Sequence, residues 1–158
     1  MSDTHAEVLA ALSSAADSFA GCLATATADA VTHAPAPGKW SAAEVMAHLA
    51  ETEMALGVRL RMMLTADGPA LAAFDQDAWA AVGDYAQRPA TRSLALFRLL
   101  RDEDVALLRS LTDEEWARHG VHSERGRLTV AEVATFMTRH DGMHLAQMQR
   151  ALEAAGSS

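Results

Sequence analysis

Apolar residues recur at intervals of three and four along most of the chain, the spacing of one face of an α-helix. Four long segments carry this pattern. The first runs from about Asp3 to Ala30, with Val8, Leu9, Leu12, Ala15, Ala16, Phe19, Leu23 and Thr27 on one stripe. It stops at "THAPAPGKW", where Pro35 and Pro37 force an extended path and Gly38 adds a turn. The second opens at "SAAE", a capping-box pattern with Ser41 as N-cap and Glu44 at N3, and continues to about Thr65. At about 1.5 Å per residue it spans roughly 36 Å, a full bundle length. The third begins near Pro89 or Thr91 and ends at about Ser110, and "TDEEW", capped by Thr112, follows as a separate helical piece. The fourth opens at Thr129, where Glu132 completes another capping box, and runs through Leu152; the closing "AAGSS" reads as a frayed end.

The connections are unequal. "ADGPALAAFDQDAWAAVGDYAQRP", between the second and third helices, is too long for a simple bundle turn; such a segment usually holds a short helix and often covers a functional site. Its Phe74–Tyr85 portion, with Trp79, suits a lid, a dimer contact or packing over a bundle end. "RHGVHSERGRL" reads as a polar loop or a small hairpin. Strand-forming residues are thin and isoleucine is absent, while Ala, Leu, Met, Glu and Arg dominate. The expectation is an all-α four-helix bundle, one domain over residues 1–158, with a long connection between helices two and three.

Composition narrows the function classes. Half of the residues are hydrophobic, so a packed core is within reach. A net charge of −8, with Lys39 the only lysine, leaves no basic groove for nucleic acid. No uninterrupted apolar run approaches the ~18 residues of a bilayer span, and the first residues lack the basic segment of a signal peptide. Cys22 stands alone, which rules out an intramolecular disulfide and a cysteine-based zinc knuckle. A cytoplasmic protein without membrane or nucleic-acid partners is expected.

The histidines change the picture. His5, His33, His119 and His122 lie at helix ends or in the polar loop, where solvated surface is the ordinary role. His140 and His144 instead fall on the apolar stripe of the last helix, with Val133, Phe136, Met137, Met148, Ala151 and Leu152. Four residues apart, they are neighbours on one face. His48 occupies the same kind of position in the second helix, among Val45, Leu49, Thr52, Leu56, Leu60 and Met63. Three inward imidazoles need partners for their ring nitrogens. Spacing alone leaves two readings open: satisfied core histidines, or a metal shared between helices two and four.

"GKWSAAEVMAHLAETE" followed far downstream by "HDGMHLAQM" resembles the DinB-like (YfiT-like) superfamily of metal-dependent enzymes. Trp40 and Ser41 opening a helix, His48 seven residues after Ser41, and His140 with His144 match the family motif in order and spacing. The resemblance covers essentially the whole chain. It implies an up-down-down-up bundle, a divalent metal on His48, His140 and His144, and a homodimer. It also implies kinship in fold with thiol-dependent transferases and the mycothiol-dependent maleylpyruvate isomerase.

Three protein ligands leave a coordination position open, as catalytic sites do. The expected function is therefore a hydrolase or thiol-dependent transferase that activates water or a low-molecular-weight thiol against a small-molecule substrate. Zinc, nickel and iron all suit imidazole. The alternative is a non-catalytic, metal-stabilised helical dimer that binds or scaffolds. Thr52 and Gln147 fall one turn from ligand candidates and suit the pocket lining. Glu44 suits either the capping box or an orienting bond to His48, and Asp141, about 100° around the helix from His140, is expected at the surface.

Overall fold

Helices begin where the capping chemistry puts them. In the computed structural model, which describes residues 3–156, helix α1 spans Asp3–Ala24 and a short α2 spans Ala28–Thr32. The first helix therefore ends earlier than its apolar stripe suggests. Thr27 is not part of that stripe: its side chain accepts from the Ala30 backbone N–H and caps α2. Helix α3 covers Ala42–Thr65, and the Ser41–Glu44 capping box is present in both directions, Ser41 N–H donating to the Glu44 carboxylate at 2.8 Å.

Strand β1 (Ala70–Leu71), helix α4 (Gln76–Val82) and a 3₁₀ turn (Tyr85–Gln87) follow, then α5 (Ala90–Ser110) and α6 (Asp113–Trp116). The polar loop is the hairpin of the two alternatives: β2 (His119–His122) pairs antiparallel with β3 (Gly126–Thr129), and β1 joins β2 in parallel to make three strands. Thr129 ends β3 and caps α7 (Val130–Gly156), its hydroxyl accepting from Glu132 N–H. Part of the closing stretch expected to fray is thus helical, and Ser157 and Ser158 lie outside the described residues.

Two apolar clusters fix the direction of each long helix. One joins Leu9 and Leu12 of α1 to Leu60 and Met63 of α3, Val105 and Leu108 of α5, and Val133 and Met137 of α7. The other joins Phe19, Val45, Leu49, Phe97 and Met148. The starts of α1 and α7 therefore share one end with the finishes of α3 and α5, which is up-down-down-up. Helices α3 and α7 are neighbours, as are α3 and α5. Because α3 and α5 run parallel, residues 66–89 must return along the bundle, which is why that connection is long. It is pinned on the way: Tyr85 and Arg88 each donate to the Glu51 carboxylate at 2.7 Å.

Between the apolar clusters lies a charged joint. Arg101, 1% exposed, donates twice to Glu53 at 2.7 Å, to Asp141 at 2.6 and 3.2 Å, and to the Leu12 carbonyl at 3.3 Å. One guanidinium thus touches all four long helices. Asp141 is consequently buried, contrary to its expected surface position, because its angle around α7 points it at α5. Nearby, a Cβ on Gly57 would come within 2.6 Å of the Asp104 carboxylate, so the close α3–α5 approach requires glycine there. Among the described residues α1 has the length and mean hydropathy of a membrane span, yet its apolar stripe of Leu9, Leu12 and Phe19 is spent inside the bundle.

Candidate metal centre

Helix α3 brings His48 inward in its second turn, and α7, antiparallel beside it, brings His140 and His144 to the same level. The three imidazoles meet. Their nearest nitrogens all lie within 4.8 Å of one another, and His48 Nε2 is 3.1 Å from His140 Nε2. His48 and His140 are buried and His144 is half-buried. The ring of His144 stands 4.3 Å from that of His140 and 4.7 Å from that of His48, centre to centre.

The surroundings fix the rings and keep them neutral. Trp40 lies 5.0 Å from the His48 ring, which explains why an aromatic precedes the Ser41 cap. Gln147, expected to line the pocket, is not in the cavity wall and instead sits behind His144, its Oε1 2.8 Å from His144 Nδ1. A proton on Nδ1 is then held by the amide oxygen, leaving the Nε2 lone pair free. Burial, then the neighbouring His144, lowers the His48 pKa to about 4. Burial and the other two histidines lower that of His140 to about 3. Burial also lowers His144, opposed by Gln147 and Asp141. The rings are therefore neutral at neutral pH, each with one nitrogen lone pair available to a metal ion.

This donor set suits a divalent transition metal: three neutral nitrogen donors, converging, with no carboxylate among them. Glu44 is not an orienting partner, since its carboxylate is taken by the cap. Thr52 places its hydroxyl 3.5 Å from both His48 ring nitrogens and faces a cavity of about 370 Å³. The cavity extends from the histidines between α3 and α7 towards the hairpin, and Phe74 and Gln76 of the long connection supply another wall. Phe74 stacks on Trp79 at 4.3 Å, which seats this part of the connection against the cavity wall.

Sequence reasoning missed several groups here. His122 is buried and lines the cavity, although a solvated place was expected; the hairpin folds it inward. His119 is half-buried, and His5 stacks on Trp116 at 4.1 Å; His33 is exposed as expected. Arg59 and Arg125 also line the cavity. No sequence spacing links them, because they meet only when the hairpin packs beside α3.

The family profile of the DinB superfamily matches residues 11–148. The chain belongs to the DinB superfamily. Among DinB-type relatives, the "Putative metal-dependent hydrolase YfiT" of Bacillus subtilis is 30% identical over 117 residues, 72% of this chain and 66% of the relative. A protein of Oceanobacillus iheyensis with the same description is 30% identical over 115 residues, 73% and 66% of the two chains. The matched region thus spans just under two thirds of each relative. The solved YfiT structure, described as having an unusual four-helix bundle topology, superposes with a TM-score of 0.90 at 24% identity, covering 99% of this chain and 90% of that one. The mycothiol-dependent maleylpyruvate isomerase shares the fold at 12% identity and a TM-score of 0.73, over 94% and 63% of the chains.

Proposed function

We propose that His48, His140 and His144 hold one divalent metal ion, zinc or nickel before iron, and that the site is the reaction centre of a hydrolase or thiol-dependent transferase acting on a small molecule. The carrying observation is the convergence of three buried or half-buried, neutral imidazoles on one wall of an open cavity. When bound, such an ion supplies a Lewis acid with a free position, at which water or a low-molecular-weight thiol becomes a nucleophile near neutral pH. The chain's own residues do the rest. Gln147 orients His144, Trp40 packs against His48, and the Thr52 hydroxyl stands where it can accept or donate a hydrogen bond beside the centre. Phe74 and Phe136 restrict water at the cavity walls.

The names of the relatives favour hydrolysis, and the isomerase of similar fold favours a thiol. A cavity that continues beyond the histidines supports a reaction centre over a closed, purely structural site. A homodimer belongs to this proposal: Met54, Val58 and Met62, exposed one turn apart on α3, offer an apolar stripe for a second copy. Metal-dependent turnover, assayed with ester substrates and with thiol plus electrophile, tests the reading. Turnover lost on chelation and restored by one ion species is expected; full activity in chelator would overturn it. Thermal melts with and without chelator check the scaffold alternative, which requires the metal-free chain to unfold.

A further inference from the structure

Four arginines have carboxylate partners: Arg61 with Asp104, Arg88 with Glu51, Arg98 with Asp17, and Arg101 with Glu53 and Asp141. The two that line the cavity are not among them. Among the described residues neither Arg59 nor Arg125 has a carboxylate within ion-pair reach. Each lies along an aromatic ring of the cavity wall instead, Arg59 5.5 Å from the centre of Phe74 and Arg125 4.8 Å from that of Phe136. Arg59 also donates one N–H to the Ala72 carbonyl, which holds the guanidinium in place with other donors unspent. His122 completes the wall. Its Nδ1 accepts from Glu124 N–H at 3.2 Å, so the neutral ring carries its proton on Nε2 as a further donor.

The acids of this cavity do not cancel the arginines. Glu132 is turned to the α7 cap, accepting from the Thr129 N–H and hydroxyl, both at 2.7 Å, and Glu124 is exposed at the hairpin turn. Their presence does weigh against a doubly charged phosphate. Between this donor wall and the three histidines the lining is apolar, with Leu56, Val133 and Phe136. Phe136 bridges the two regions, its ring 5.5 Å from that of His140.

We propose that Arg59, Arg125 and His122 form a carboxylate-binding subsite, so that the substrate is a small monoanionic acid whose apolar body spans from this wall to the histidine centre. The proposal rests on reading that centre as the reaction site, but its test separates the two. Phenylbutyrate, its neutral amide and phenyl phosphate are titrated calorimetrically into metal-loaded and chelator-treated protein. The carboxylate should bind both forms at least about tenfold more tightly than the amide, as charge-assisted hydrogen bonds require, and more tightly than the phosphate. Arg125→Gln, at an exposed position, and Arg59→Gln should each cost about tenfold for the acid and little for the amide. Arg98→Gln, away from the cavity, should change nothing.

Equal affinity for acid and amide, tighter phosphate binding, or an equal loss in Arg98→Gln would overturn the subsite. So would acid binding that needs the metal and ignores Arg125→Gln, which would leave the metal reading standing. If the protein takes up no metal yet binds the acid through the arginines, the subsite stands and the metal reading falls.

Discussion

His140 and Asp141 are adjacent in the chain and serve opposite kinds of buried polar cluster. Asp141 turns to Arg101, where every strong donor of the guanidinium has an oxygen within 3.3 Å. His140 turns to His48 and His144, where three nitrogens face one another with few donors between them. The first cluster is complete in the protein alone. The second is the one we propose a metal ion completes. Buried polar groups thus do two different things within one turn of α7: one set of oxygens surrounds a cation, and the other set turns neutral ring nitrogens towards one another.

The largest effect should come from breaking the complete cluster. Arg101→Met leaves Glu53 and Asp141 buried without their cation, and should cost about 3–5 kcal/mol in denaturant titrations. A variant as stable as the parent would mean the joint holds little. Acid should next act on the incomplete cluster. Above the unfolded histidine pKa of 6.5, both states are neutral and the contribution is flat. As pH falls below 6.5 the unfolded chain gains protons that the folded one refuses until about 4 for His48 and about 3 for His140. Stability of the chelated protein should therefore fall across that window, by about 2 kcal/mol per histidine at about pH 5. His140→Leu should remove its share of the slope; an unchanged slope would place the sensitivity elsewhere.

Gln147→Leu sharpens the contrast from the metal side. It removes the oxygen that holds His144 Nδ1 while leaving Arg101 and its partners untouched, and should weaken metal affinity by about 10–100-fold in competition with a chelating dye. A smaller effect is expected at the α3 start. Ser41→Ala removes the cap acceptor and should cost about 1 kcal/mol, with metal stoichiometry unchanged.

The bundle was legible because its signals are local. Every α3 stripe residue named from the sequence is buried and every α7 one is buried or half-buried, and the Ser41–Glu44 and Thr129–Glu132 boxes with the Thr112 cap marked three helix starts. His48, His140 and His144 were legible because each replaces an apolar residue on such a stripe. Asp141 was not, because an angle around a helix says nothing about which neighbour stands there until the bundle order is known. Arg101 did leave a trace, lying on the stripe of Phe97, Val105 and Leu108 where an unpaired charge cannot stay. His122 and Arg125 left none: only the folding of the hairpin over the cavity brings them to Arg59 and the histidines.

The most direct test of the central claim is metal content per chain in untagged protein, measured by elemental analysis for the parent and for His140→Ala. One equivalent in the parent and almost none in the variant, with the variant still helical and monodisperse, is the predicted result. No uptake by the parent after incubation with zinc, nickel or iron, or equal uptake by both proteins, would contradict it.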